Sequence, residues 1–261
     1  MFEFGMPTLI ELPEAEDCAR LCGELGLQFV ELNMNMPHYQ VNVMNVEKLR
    51  RTAEKYHIYY TIHLDENLNV SDFNPYVSEA YSRTVQETIQ IAKQLHTPIL
   101  NMHLSQGAYF TLPDRKVYLF EEYRQQYLQT IKTFRDACEK SIGESGLKIC
   151  VENSSGYSSF QEQALQVLLE SPVFALTFDI GHNHCIGGRD EAVIARHGER
   201  LCHFHFHDAA FGKDHLPLGT GEIDLGKYLD MAREREARIV LETKTIAGLK
   251  ASAEWIKKQD F

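Results

Sequence analysis

The chain has 261 residues and a formal charge of −11 at neutral pH, an acidity that weighs against a broad face for nucleic-acid phosphates. Its 44% hydrophobic and 10% aromatic residues suffice for a large core. No stretch approaches the roughly 20 apolar residues that cross a bilayer.

The length predicts one domain over residues 1–261. The opening Met1-Phe2-Glu3-Phe4-Gly5 has no basic run followed by an apolar one, so the expectation is a cytoplasmic protein without a signal peptide. Cys18, Cys22, Cys138, Cys150, Cys185 and Cys202 form no Cys-x-x-Cys pair and read as reduced, mostly packed thiols.

Taken in chain order, β-branched and aromatic runs predict strands at 2–6, 27–33, 58–65, 98–105, 147–154, 174–181, 201–208 and 238–245. Helical patterns fall between them near 13–25, 45–56, 75–96, 117–141, 160–170, 189–197 and 224–235, with a last helix near 246–258. Gly26 and Gly198 stand where helices should stop. Asn74-Pro75 has a cap followed by proline at the first helical position, and Ser159 with Glu162 has capping-box spacing. Eight βα units predict an α/β fold, a parallel sheet closed into a single (β/α)₈ TIM barrel. The strand-to-helix loops 34–44, 66–74, 106–116 and 209–223 are the long ones, and in barrels these loops build the active face. An open doubly wound sheet is the rival, but no Gly-x-Gly-x-x-Gly follows the first strand.

Strand alternation then selects candidate residues. In Leu201-Cys202-His203-Phe204-His205-Phe206-His207-Asp208, the phenylalanines fall on one face and three histidines on the other. Inward histidines either pair by hydrogen bonds within the core or ligate an ion. Three further strands carry Glu152, Asp179 and Glu242 after apolar residues, at the C-terminal mouth. Each alone is read as exposed or paired with a lysine such as Lys244. Together, beside His205, they would repel one another unless a cation sits among them. An oxygen-rich set with one imidazole favours Mn²⁺, with Mg²⁺, Co²⁺, Fe²⁺ and Zn²⁺ as alternatives.

The sequence resembles the xylose isomerase-like barrel superfamily. This includes sugar and sugar-phosphate isomerases and epimerases, dehydroshikimate dehydratases and endonuclease IV. Val151-Glu152-Asn153, Phe178-Asp179-Ile180-Gly181-His182, His205-Phe206-His207-Asp208, the stretch 214–224 and Leu241-Glu242-Thr243 carry the resemblance. It implies Glu152, Asp179, His205 and Glu242 as ligands of one divalent ion. It also implies Glu152 and Glu242 as an acid/base pair moving protons through a metal-stabilised enediolate, with His182 contacting a small polyhydroxylated carbonyl substrate. The endonuclease IV branch, a hydrolase at abasic DNA sites, is partly matched by His63, His103, His182 and His215. Its motif requires an aspartate where this chain has Lys213, and His63 and His103 then become substrate contacts or interior hydrogen-bonded residues. Ketohexose epimerases of the group place an arginine where this chain has Phe211. A metal-dependent dehydratase uses related chemistry, and a non-catalytic sugar- or metal-binding barrel is a further alternative. Such barrels often form homo-oligomers, but no segment here marks an interface.

Smaller features carry two readings each. Lys244 faces a substrate phosphate or carboxylate, or pairs with a glutamate. Gly219-Thr220-Gly221 approaches a phosphate or, more simply, makes a turn before a helix capped by Asp224. Glu31 and Asn33 share the inward parity of the second strand. His38 and Tyr39 are expected at the surface, and Cys150 and Cys185 as packing residues.

Overall fold

The computed structural model describes residues 3–259. The first residue of the first predicted strand, Phe2, lies outside that range. Eight parallel strands close a barrel: β1 (Glu3–Pro7), β2 (Phe29–Asn33), β3 (Tyr59–His63), β4 (Ile99–His103), β5 (Lys148–Glu152), β6 (Phe174–Asp179), β7 (Leu201–Phe206) and β8 (Arg238–Leu241). Each pairs with the next and β8 closes on β1. The expected barrel is the observed one.

Alternation divides the apolar residues into two groups. Val30, Leu32, Ile62, Leu100, Met102, Val151, Leu176, Phe178, Phe204, Phe206 and Ile239 belong to the large core between strands and helices. The ring of Phe178 meets both Phe204 and Tyr228, the latter on the helix Leu225–Glu234. A smaller cluster of Ile99, Cys150, Ala175 and Cys202 fills the barrel's lower interior. Near it Gly5 is obligatory, because a Cβ there would lie 2.4 Å from ring carbons of Phe29. Above these apolar residues the inward positions turn polar.

Several boundaries differ from expectation. β6 stops at Asp179, and its carboxylate caps a short helix, Ile180–Cys185, by accepting the His182 N–H at 2.6 Å. Gly181 and His182 therefore lie in a helical turn rather than in the strand. Ser158 and Gln161, one residue earlier than expected, form the capping box of Ser159–Leu169. The helix expected over 117–141 is replaced at its start by a hairpin, Tyr109–Thr111 with Lys116–Tyr118, then a one-turn helix, Leu119–Glu122, and the helix Arg124–Ile142. A second hairpin, Asp208–Ala210 with Lys213–Leu216, follows β7. Gly26 ends its helix at φ 75°, and Asn74-Pro75 starts one as expected. Gly198 instead opens a short 3₁₀ turn, since the helix before it ends at Arg196 with His197 as its cap. Tyr39 is buried rather than superficial, and Cys185 is exposed rather than packed. Among the described residues no helix is long and apolar enough to cross a membrane.

Candidate metal centre

At the C-terminal ends of β5 to β8, Glu152, Asp179, His205 and Glu242 converge, each offering an atom within 4.8 Å of the others. His205 Nδ1 lies 3.1 Å from Glu152 Oε1, 3.1 Å from Glu242 Oε2 and 3.9 Å from Asp179 Oδ2. All four side chains are buried. β5 and β6 end on their carboxylates and β8 one residue before its own, so three oxygen donors reach one level of the barrel.

Glu152, Asp179 and His205 are held from behind. Asn153 clamps the main chain of Asp179 on both sides, donating to its carbonyl at 3.0 Å and accepting its N–H at 2.8 Å. Asn101 on β4 donates to Glu152 Oε2, and Thr177 on β6 donates to Asn101 at 2.6 Å. On the far side of His205, Nε2 lies 2.9 Å from Glu31 Oε1, a carboxylate also bonded by the Thr61 hydroxyl at 2.9 Å. His203 completes this lower polar layer between Thr177 and Glu31. Burial pushes its ring down to about 4, so it is neutral. Glu31 thus joins the site as its parity allowed. Asn33 turns away, bonding Asn35 in the loop.

His103, His182, His215 and Lys244 ring the entrance, whereas His63, expected as a further substrate contact, is buried. His103, His182 and His215 keep 16–19% of their side-chain surface exposed and Lys244 keeps 55%, against 0–1% for Glu152, Asp179 and His205. His182 Nδ1 is 3.3 Å from Asp179 Oδ2. His63 Nε2 and His103 Nε2 stand 3.3 and 3.1 Å from Glu152 Oε2. His215 Nε2 lies 3.7 Å from Glu242 Oε1, and Lys244 Nζ pairs with the same oxygen at 2.8 Å. Phe211 and Lys213 lie exposed in the hairpin after β7. The amides of Gly219 and Gly221 point at the protein's own Asp208, which favours the turn reading of that stretch.

Charge and hydrogen bonding both fit a cation here. Burial alone would raise the Glu152 and Glu242 carboxyls, but His205 and the neighbouring imidazoles hold both well below the usual range. The site is therefore strongly anionic wherever those imidazoles lose their protons. His103 Nε2, His182 Nδ1, His215 Nε2 and Glu242 Oε2 are buried atoms without an aligned hydrogen bond. Orphaned donors and acceptors are rare in protein interiors. Clustered around three carboxylates, they suit a divalent ion and its substrate.

Fold and site together define a TIM barrel with a candidate metal site at its mouth, and residues 19–259 match the model of one family: the chain belongs to the xylose isomerase-like TIM barrels. An uncharacterized protein of Methanocaldococcus jannaschii, MJ1188, is 25% identical over 241 residues, covering 88% of this chain and 83% of that one. Among solved structures, a D-tagatose 3-epimerase-like protein superposes with a TM-score of 0.80 at 22% identity, covering 98% of this chain and 96% of that one. The 3-keto-D-glucoside 4-epimerase YcjR of E. coli gives 0.77 at 13% identity, covering 99% and 100%. At these identities the likeness is one of fold.

Proposed function

We propose that this protein is a divalent-metal-dependent isomerase or epimerase of a sugar or sugar phosphate. The observation that carries this reading is the placement of Glu152 and Glu242 on either side of His205, each 3.1 Å from its Nδ1. Glu152, Asp179, His205 and Glu242 would hold the ion, and their oxygen-rich character favours Mn²⁺. When bound, the ion supplies Lewis-acid polarisation of the substrate carbonyl. One glutamate takes the proton from the carbon beside that carbonyl, and the other returns a proton to the product. Buried and flanked by imidazoles, both carboxylates rest ionised. The one that takes the proton is ready to accept it, and the one that returns a proton first receives it from the imidazole beside it, His103 for Glu152 or His215 for Glu242. His103, His182 and His215 meet substrate hydroxyls at the entrance, and Lys244 offers its charge to a substrate phosphate or carboxylate. Epimerase neighbours of the same fold are consistent with this chemistry.

Glu152→Gln and Glu242→Gln are each expected to lower turnover of a ketose substrate by about 10²–10⁴-fold. They should also suppress deuterium uptake from solvent into bound ketose. Full turnover in both variants would overturn the proposal.

A second reading, a hydrolase with several metal ions, has one observation in its favour. His63 Nδ1 donates to the Leu64 carbonyl at 2.7 Å, so Nε2, facing Glu152, carries either a proton or a cation. Pairing with Glu152 outweighs burial and pushes the ring up to about 9, which supplies the proton. Elemental analysis separates the readings: one ion per chain supports the isomerase, and two or three zinc ions support the hydrolase.

A further inference from the structure

We infer that His207 is a positioning residue: it orients the metal-facing oxygen of Asp179 through a ring whose tautomer is set by the hairpin after β7. This role rests on the metal-site reading above and adds a residue to it.

His207 is fully buried, one pleat beyond His205. Its Nδ1 accepts the backbone N–H of His215 at 2.7 Å. An amide nitrogen only donates, so Nδ1 presents its lone pair and the ring proton sits on Nε2. Nε2 lies 3.0 Å from Asp179 Oδ2 and donates to it. The other carboxylate oxygen, Oδ1, is taken by the His182 N–H, and Asn153 clamps the main chain. Oδ2 is therefore the oxygen left for a cation, and the His207 N–H decides where its remaining lone pair points.

Two neighbouring features follow from this ring. A Cβ on Gly181 would sit 2.0 Å from His207 Cε1, so the glycine of Asp179-Ile180-Gly181-His182 makes room for it. His215 holds a left-handed backbone at φ 55° and stacks its ring on His207, with centroids 4.1 Å apart and planes 8° from parallel. That conformation aims its N–H at Nδ1. The hairpin and the metal-facing carboxylate are thus joined through one imidazole. Such outer partners typically alter metal affinity by about 10–100-fold when removed.

Two near-isosteres separate the two bonds. Asparagine sets its carbonyl oxygen near the place of Nδ1, keeping the His215 bond but falling short of Asp179. Glutamine sets its amide nitrogen near the place of Nε2, keeping the Asp179 bond and losing the other. Mn²⁺ is titrated calorimetrically into chelator-stripped wild type, His207→Asn, His207→Gln and Asp179→Asn. Thermal unfolding in chelator reports whether each variant is folded.

The expected result is Mn²⁺ binding weakened about 10–100-fold in His207→Asn and close to wild type in His207→Gln. Wild-type affinity in His207→Asn, or equal losses in both variants, would overturn the role of His207 while leaving the metal site standing. Should His207→Asn not fold, a tenfold or greater loss in folded His207→Gln would overturn it equally. Failure of the wild type to bind Mn²⁺ would remove the metal-site reading and this role together.

Discussion

Inside the barrel mouth each carboxylate is balanced by imidazoles. Burial would lower the His205 ring, but Glu152, Glu242 and Glu31 hold it well above the ordinary imidazole value. Without a cation, His205 is therefore protonated near neutrality, and a ring nitrogen cannot carry a proton and ligate an ion together. Protons compete with the ion below the raised pKa, so affinity for Mn²⁺ should increase as pH rises. Binding near neutrality should release protons. Calorimetry in buffers of different protonation enthalpy would measure that release. An affinity unchanged between about pH 6 and pH 8 would contradict the ligand role of His205.

At the level of elements, the site depends on segments that are neither strand nor long helix. The short helix Ile180–Cys185 brings His182 over the mouth three residues after Asp179, and Asp179 is both its cap and a candidate ligand. Asp208 plays the corresponding part for the segment before the helix Leu225–Glu234. Its carboxylate accepts the amides of Ala209, Gly219, Gly221 and Ile223 at 2.8–3.2 Å. This knot leaves no room at Gly221, where a Cβ would fall 2.3 Å from Asp208 Oδ1 and 2.5 Å from the Ala209 carbonyl oxygen. Gly221→Ala must shift backbone on one side or break the knot. Overpacking of this kind costs about 1–3 kcal/mol. Urea unfolding should show a loss in that range, and an unchanged midpoint would show that the knot yields freely.

For the whole molecule, the barrel is a container with an apolar floor, a polar middle layer and a charged mouth. An ion that binds only the folded state stabilises it by about 2.7 kcal/mol at a hundredfold excess over Kd. For a chain of this size that is a rise in Tm of at least about 5 °C. Mn²⁺ should produce it, chelator should reverse it, and Glu152→Gln should abolish it in differential scanning calorimetry. The barrel and its mouth were legible in the sequence because both are local patterns. Period-two alternation sorts Phe204 and Phe206 from His203, His205 and His207, and a carboxylate at the end of an apolar run marks a strand's exit. The partnerships beneath the mouth were not legible in that way. Glu31 meets His205, Asn101 meets Glu152 and His207 meets Asp179 only because closure of the sheet brings distant strands to one height. A lone asparagine or threonine within a strand carries no local mark of which residue it will face. The turn after Asp179 was decided partly in three dimensions: its capping bond to His182 is local, but the room that Gly181 leaves for His207 depends on the neighbouring strand β7.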